Sequence, residues 1–304
     1  MQIRDIDLKL LKIFETIVQC GGFSAAQSML GIGASSISEH MAQLETRLGV
    51  RLCERGRGGF RLTEEGEHMH AAAQRLLAAV DSFQMEAGAI RKELHGQLRL
   101  GLIEATLTDR DAPQLAAIRA FGQAAPKVQL QIEIDSPARL EQRVLDGSLH
   151  LAVGPFPEPV AGLDYRLLYT EEQGLYCASP HPLFFHAGAR GLEAAVARAS
   201  LATRGYLGRQ ELELLGMSEP AALVDNVEGR AMLILSGNYI GFLPPHYAQA
   251  WVAPGLLRRL APHRYRTLLD FQLITRRGMR VTRAVQELID HLLRAAHGGK
   301  TAGK

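Results

Sequence analysis

The feature that most constrains this chain is a succession of short amphipathic segments, each followed by glycine, near the start of its 304 residues. Apolar residues recur at steps of three and four from about Asp7 to Cys20, which predicts a helix with one buried face. A second helix is predicted to end near Leu30, with Ser24 as its N-cap, and a third to run from Ser35 to Leu48. Two short helices joined by a tight turn, after a packing helix, are typical of a helix-turn-helix.

The third helix and the segment after it carry side chains suited to DNA contact. Short polar groups on the outer face of a helix can contact base edges or phosphates from the major groove. Residues Val50–Leu62 alternate around a glycine turn, which predicts a two-stranded wing whose arginines supply local positive charge. The candidate DNA-binding residues within this domain, residues 1–62, are Ser24, Ser35, Ser36, Ser38, Glu39, His40, Gln43, Arg55, Arg57 and Arg61. A helical packing domain with a solvated polar face is the alternative that periodicity alone leaves open.

A heptad pattern predicts one long linker helix over residues 63–95. Thr63 is its expected cap, with Glu64 and Glu65 in the positive first turn. The apolar positions alternate steps of four and three, as in the seam of a coiled coil. We therefore predict a homodimer formed through Met69, Ala73, Leu76, Val80, Phe83, Ala87 and Ile90. Packing of this seam onto the chain's own body is the alternative, whereas a dimer would bind two half-sites of a pseudo-palindrome.

Residues 96–298 alternate short apolar strands with helical stretches, which predicts an α/β domain. The expected strands are Gln97–Ile103, Val128–Ile134, Leu149–Gly154, Leu163–Tyr169, Gly174–Ala178, Ala222–Val227, Ile240–Pro244 and Leu268–Ile274. The expected helices are Ala112–Gln123, Ala138–Asp146, Glu228–Ser236 and Thr282–Ala296. A chain that crosses over and returns makes two lobes with a cleft: lobe I from residues 96–162 and 272–298, and lobe II from residues 163–271. Residues 299–304 are expected to form a flexible tail.

Polar residues at the expected strand ends and helix starts are the candidate contacts of a small-molecule effector in this cleft. They are Thr106, Thr108 and Ser136 from lobe I, and Thr203, Arg204 and Asn226 from lobe II. Arg204 is the only cation among them, so it predicts an effector that carries a carboxylate. An ordinary cap or turn is the alternative for each residue taken singly.

Specific motifs run without a gap from Ile6 to Gly66. They include the GGFSAA turn, the QLETRLGVRL run and the RLTEEG end, and looser motifs such as LDGSLHLAVG and SGNYIGFLP follow in the C-terminal part. In these motifs the chain resembles the LysR-type transcriptional regulators. The resemblance implies an effector domain built like a periplasmic binding protein and a regulator of double-stranded operator DNA. It also implies self-association into dimers and tetramers, and contact with RNA polymerase if the chain is an activator.

The chain departs from the usual pattern of these regulators at four positions. Gly33-Ala34 stand where Ser-Gln commonly opens the recognition helix, Glu39 replaces an arginine, and Cys53 replaces the phenylalanine of the wing. The usual base contacts therefore do not carry over to Ala34 and Glu39.

Other classes of function lack the motifs that they require. There is no nucleophile elbow, P-loop or HExxH helix, so we expect no enzymatic activity and no cofactor. No stretch approaches about 18 apolar residues and no secretory signal is evident, so we expect a cytoplasmic protein without a membrane partner. Cys20, Cys53 and Cys177 lack CxxC spacing, which predicts free thiols rather than a metal site, and one cysteine in the sensor domain argues against a redox pair.

Overall fold

The computed structural model, which describes residues 5–56, 59–90, 94–185, 191–279 and 281–298, divides the chain into two units. The first unit comprises Met1–Gly96 with Asp146–Ser148, and the second comprises Gln97–Leu145 and Leu149–Lys304. Within the described ranges, no helix has both the length and the apolar character needed to cross a membrane.

The first unit consists of three short helices, a hairpin and a long helix. In chain order these are α1 (Asp5–Gln19), α2 (Phe23–Leu30), α3 (Ala34–Leu48), β1 (Cys53–Gly56), β2 (Gly59–Leu62) and α4 (Glu64–Ile90). Phe14, Ile37 and Leu44 are fully buried between the helices, because apolar residues at helical spacing place one face of each helix in a shared core. The predicted helix-turn-helix and antiparallel wing are therefore confirmed.

The start of α2 differs from the sequence-based expectation. The N-cap is Gly22, not Ser24, and its φ of 149° belongs to a region that favours glycine. A Cβ at Gly22 would lie 3.4 Å from the Cβ of Phe60, an ordinary contact, so the backbone conformation rather than space favours glycine here. The prediction of Ser24 as the cap is wrong. By contrast, Thr63 caps α4 as expected, because its Oγ1 accepts a hydrogen bond of 2.9 Å from the Gly66 N–H.

The beginning of α4 packs against the core of its own unit. Ala73 is buried in that core, and Met69 and Leu76 pack against it. The Nε2 of His70 lies 2.7 Å from the Oε2 of Glu15, which ties α4 to α1. The apolar seam was predicted to face a second copy along its whole length. Met69, Ala73 and Leu76 instead pack on their own unit, which is the alternative that the sequence left open.

The second half of α4 is different. Val80 is half-buried, and the Phe83 side chain is 71% exposed. The side chains of Ala87 and Ile90 lie outside the described residues, as do residues 91–93. Residues 94 and 95 are not helical, so the helix is shorter than the predicted 63–95. Phe83 is not among the described apolar residues that pack against the core of the first unit.

The second unit alternates strands and helices. It contains β3 (Gly96–Leu102), α5 (Pro113–Ala124), β4 (Val128–Ile134), α6 (Pro137–Asp146), β5 (Leu151–Pro155), β6 (Leu163–Ala178), α7 (Leu192–Val196), β7 (Ala202–Arg204), α8 (Gly208–Leu215), β8 (Ala222–Val224), α9 (Val227–Leu235), β9 (Gly241–Leu243), α10 (Pro245–Val252), β10 (Leu257–Arg259), β11 (Arg266–Arg276) and α11 (Arg283–Gly298). The main sheet has the order β10-β6-β11-β5-β3-β4, with β9 also on β6, and β7 pairs with β8 in a separate parallel pair.

The long strands β6 and β11 form an antiparallel ribbon that runs through both lobes. Their register extends from Leu163 opposite Arg276 to Gly174 opposite Arg266. At one end β11 pairs with β5 of lobe I, and at the other end β6 pairs with β9 and β10 of lobe II. This arrangement confirms the two-lobed fold and the returning strand. The two strands expected at 163–169 and 174–178 are one continuous strand, because the polar residues between them remain in the ladder.

A buried ion pair lies in the core of lobe II. Arg230 is fully buried, its Nη1 lies 2.9 Å from the Oε1 of Glu211, and the same nitrogen donates to the Phe242 carbonyl at 2.6 Å. The Thr203 hydroxyl donates to the other oxygen of Glu211 at 2.5 Å. Burial lowers the pKa of Arg230 to about 10, although the charge of Glu211 acts to raise it. Each of the two charges is therefore stabilised by the other, since burial removes both from water.

We predict that Glu211→Gln lowers the stability of the protein by about 3–5 kcal/mol, because it leaves the Arg230 charge buried without a partner. The double variant Glu211→Leu with Arg230→Met should recover most of that loss. The exposed pair Arg209–Glu213 provides the control, and Arg209→Met with Glu213→Leu should leave the midpoint unchanged. Urea unfolding followed by circular dichroism measures all three. Equal midpoints for Glu211→Gln and wild type would contradict the prediction.

Candidate DNA-binding surface and effector cavity

The outer face of α3 presents a polar stripe. Ser35, Glu39 and Gln43 follow one another at four-residue steps and are exposed, whereas Ser36, Ser38 and His40 are half-buried. The Nδ1 of His40 lies 2.6 Å from the Ser36 carbonyl oxygen. A carbonyl only accepts, so Nδ1 carries a proton and Nε2 is the ring nitrogen left for other contacts.

The turn before α2, the wing and α3 surround a depression of about 460 Å³. It is lined by Gly21, Gly22, Phe23, Ser24, Ala25, Ser38, Gly59 and Phe60. Ser24 and Ser38 were predicted as DNA-binding residues from different helices. Both line this one depression. The cap residue of α2 is a glycine and gives no side-chain cap, so the first N–H groups of this helix suit a phosphate oxygen.

Of the three candidate arginines on the wing, Arg61 is the one whose side chain the structure describes. The Arg61 side chain is exposed, and its Nη2 lies 2.9 Å from the Oε2 of Glu54. The Arg55 side chain and all of Arg57 lie outside the described residues. Phosphate contact by Arg61 would require its guanidinium to share or leave this exposed ion pair.

A cavity of about 610 Å³ lies in the cleft of the second unit. Lobe I lines it with Glu104, Ala105, Ile134, Asp135, Ser136 and Arg139, and lobe II lines it with Asp225, Asn226, Val227, Glu228 and Tyr247. The starts of α6 and α9 both face this space, as expected for a ligand site in an open α/β fold. Its size is within the usual range for a small-molecule site.

Two of the six predicted effector residues line this cavity. Ser136 precedes α6, and Asn226 caps α9 through a 2.7 Å hydrogen bond from the Gly229 N–H to its Oδ1. Thr106 and Thr108 form a 3-10 turn after β3 and lie outside the lining. The structure thus brings only part of the predicted set together.

Thr203 and Arg204, the other two, are buried. Arg204 is 2% exposed, its Nη1 lies 3.5 Å from the Oε1 of Glu104, and its guanidinium lies 5.1 Å from the centre of the Tyr206 ring. Thr203 donates to Glu211 in the lobe II core. The acceptor that Arg204 needs is therefore supplied by the protein itself.

The acidic side chains that dominate the cavity were not among the residues predicted from the sequence. Glu104, Asp135 and Asp225 each follow directly, or within two residues, the end of a strand. Glu104 also accepts a 2.9 Å hydrogen bond from the Val227 N–H at the start of α9. The signal was present in the repeated pattern of an apolar strand followed by an acid. With Glu228 added, four acids and one arginine line the space.

Family models match both units of the chain. A model described as the bacterial regulatory helix-turn-helix protein, lysR family, matches residues 8–67, and one described as the LysR substrate binding domain matches residues 91–297. This chain belongs to the LysR family of transcriptional regulators. As a LysR-family regulator it binds DNA through its N-terminal domain and a small molecule through its effector domain, and it is not an enzyme.

Relatives of this LysR-family regulator cover nearly its whole length. The HTH-type transcriptional activator BauR of Pseudomonas aeruginosa is 40% identical over 290 residues, which is 95% of each chain. The HTH-type transcriptional regulator CbbR of Xanthobacter flavus is 23% identical over 295 residues, covering 94% of this chain and 87% of CbbR.

Solved structures of the LysR family show the same fold. The crystal structure of CbnR, a LysR family transcriptional regulator, superimposes with a TM-score of 0.64 at 19% identity, covering 95% of this chain and 99% of CbnR. Full-length CbnR complexed with its target DNA gives a TM-score of 0.64 at 20% identity, with the same coverage of both chains.

We predict that Ser24→Ala and Ser38→Ala each weaken DNA binding by about 3–10-fold, since each removes one hydrogen bond. A hydroxyl that contacts phosphate should matter equally for operator and unrelated DNA, whereas one that contacts a base should matter only for the operator. Fluorescence anisotropy with the chain's own promoter region and a scrambled duplex separates these cases. Ser28→Ala, on α2 outside the depression, is the control. Wild-type affinity of both variants for both duplexes would refute the placement.

Proposed function

We propose that this LysR-family chain is a cytoplasmic transcriptional activator that binds operator DNA as a dimer or a pair of dimers. Activation is supported by the relative BauR, a transcriptional activator that is 40% identical over 95% of both chains. RNA polymerase is then a further partner. The observation that carries the control by a small molecule is the cavity of about 610 Å³ between the lobes of the effector domain.

In this proposal, operator DNA is bound by the helix-turn-helix domain, residues 1–62. The exposed stripe of Ser35, Glu39 and Gln43 contacts base edges, together with Ser36, Ser38 and His40. Ser24 at the depression and the arginines Arg55, Arg57 and Arg61 contact phosphates. The linker helix, residues 63–95, then joins this domain to the effector domain, residues 96–298.

Dimerisation is assigned to the second half of α4. Phe83 is the large apolar residue of the described seam that is exposed, and its neighbours in the heptad pattern are Val80, Ala87 and Ile90. An exposed phenylalanine in a heptad position is stabilised when a second helix covers it. The first half of the seam already packs on its own unit and is left out of the interface.

We propose that the effector carries a cationic group, such as a primary amine, rather than a carboxylate alone. Asp135, Asp225 and Glu228 all line the cavity with Glu104, and Arg139 lies 4.0 Å from Asp135. A cation placed among these side chains gains favourable Coulomb energy in a partly desolvated site. A carboxylate at Arg204, as first expected, would have to displace Glu104 from its guanidinium.

The dimer predicts a clear outcome for Phe83→Asp. A carboxylate in an apolar seam would lose its hydration without gaining a partner, so the variant should have a lower mass by light scattering. Leu223→Asp changes a similarly exposed apolar residue on β8, and it should keep the wild-type mass. An unchanged mass for Phe83→Asp would place the interface elsewhere.

The effector proposal is tested by a thermal-shift screen that pairs primary amines with carboxylates and alcohols of matched length. Amines should raise the melting temperature, because a ligand that binds only the folded state stabilises it. Asp225→Asn with Glu228→Gln should abolish that shift. The pair Glu213→Gln with Glu219→Gln makes the same change in charge on exposed residues away from the cavity and should preserve the shift. If only carboxylates raised the melting temperature, the carboxylate effector predicted from the sequence would be favoured instead.

A further inference from the structure

Three potential metal ligands from three separate elements meet beside the β6–β11 ribbon. Asp109 follows the 3-10 turn Thr106–Thr108, Glu171 lies in β6, and His246 is the second residue of α10. One ligand atom of each lies within 4.8 Å of those of the other two. The Nε2 of His246 is 2.9 Å from the Oε1 of Glu171. Small side-chain movements can therefore place all three atoms around one ion.

Among the residues that the structure describes, the two carboxylates of this cluster outnumber the positive charge paired with them. Glu171 is 7% exposed, and a buried carboxylate requires a partner. Asp109 adds a second carboxylate at the same place, whereas His246 supplies at most one positive charge. The ion pairs of these two acids within the described residues include no lysine or arginine. A divalent cation would neutralise the negative charge of the two carboxylates that the imidazole alone leaves.

Neighbouring groups orient each of the three side chains. The Nδ1 of His246 lies 2.8 Å from the Thr108 hydroxyl oxygen, and that hydroxyl lies 3.2 Å from the Ala105 carbonyl as its donor. The hydroxyl donates to the Ala105 carbonyl and accepts from Nδ1–H, so Nε2, which faces Glu171, is the ring nitrogen that would bind an ion. Such a hydrogen bond to the second ring nitrogen is typical of metal-bound histidine.

The carboxylates are held in the same way. The second oxygen of Glu171 accepts a hydrogen bond from the Gln173 amide, and the Oδ1 of Asp109 accepts one of 2.9 Å from the Asp111 N–H. The Oε1 of Glu171 thus remains directed to His246. Protein metal sites use hydrogen bonds of this kind to fix their carboxylate ligands.

A buried amide oxygen beside the cluster gives a second, independent indication. Gln173 is 1% exposed, and its amide nitrogen donates to Glu171. Its Oε1 finds no donor among the described residues. Buried acceptors are normally satisfied, and water bound to a metal ion is a strong donor.

We propose that Asp109, Glu171 and His246 bind one divalent transition-metal ion, for which Zn²⁺ is the probe of choice. One imidazole and two carboxylates suit such an ion better than Mg²⁺, which prefers oxygen ligands and water. The ion connects the turn after β3 in lobe I with the start of α10 in lobe II, across the strand that joins the lobes. Ala105 and Tyr247 line the neighbouring cavity, so the metal site adjoins the effector site without sharing its lining side chains.

The test uses full-length, untagged protein that has been stripped with a chelator and desalted. Isothermal calorimetry with Zn²⁺ should give one ion per chain, and the melting temperature should rise with added Zn²⁺ but not with equal Mg²⁺. Asp109→Asn and His246→Gln should each weaken Zn²⁺ binding by at least about 10-fold, and Thr108→Val by about 10–100-fold. His263→Gln alters an exposed histidine of the same unit and should bind Zn²⁺ as the wild type does.

Circular dichroism and DNA binding without metal establish that each variant is folded. Wild-type protein that binds no Zn²⁺, or Zn²⁺ binding that persists in both Asp109→Asn and His246→Gln, overturns the proposal. These readouts involve neither the effector nor operator recognition, so their failure is distinct from failure of the proposed function.

Discussion

The backbone ladder between β6 and β11 is the interaction on which the effector domain depends. It is the element shared by both lobes, since β5 joins it at one end and β9 and β10 join it at the other. Along its middle, from Thr170 to Gln173, β6 pairs with β11 alone in the described sheet. That stretch is polar but still hydrogen-bonded to β11, so it keeps the two lobes connected.

Acidic side chains at the strand ends determine what the cavity can accept. The start of a helix attracts anions, and a free effector carboxylate was expected to use this attraction. At α9 the protein fills that position with Glu104, which is also the partner of Arg204. At α6 the Ser136 N–H donates to the Oδ1 of Asp135. Both helix starts thus already contact an acid of the protein, and Asp225 and Glu228 add further negative charge, which is the basis of the proposed cationic effector.

The sequence predicted the elements whose periodicity is carried by apolar residues, such as α1, α3, β4 and α11, because burial of one face imposes the pattern. It failed where tertiary contacts decide. β6 was predicted as two strands because its polar centre interrupts the apolar pattern, although this stretch pairs with β11. Helices α7 and α8 have five and eight residues, too few to show a clear period. The cavity was foreseen as a cleft, but its acids were not, since the partner of Arg204 lies 100 residues away along the chain.

The packing of Met69, Ala73 and Leu76 onto the first unit has a mechanical consequence. The start of α4 packs on the DNA-binding domain, whereas Phe83 is exposed. The orientation of the Phe83 side chain relative to that domain is therefore determined by the helix between them. An α-helix turns by about 100° and advances about 1.5 Å per residue. Inserting a single residue between Leu76 and Phe83 would therefore rotate the contact surface at Phe83 by more than a quarter turn relative to the recognition helix. In a dimer joined at Phe83, the number of helical residues between Leu76 and Phe83 would therefore determine which spacing of operator half-sites the two recognition helices can bind.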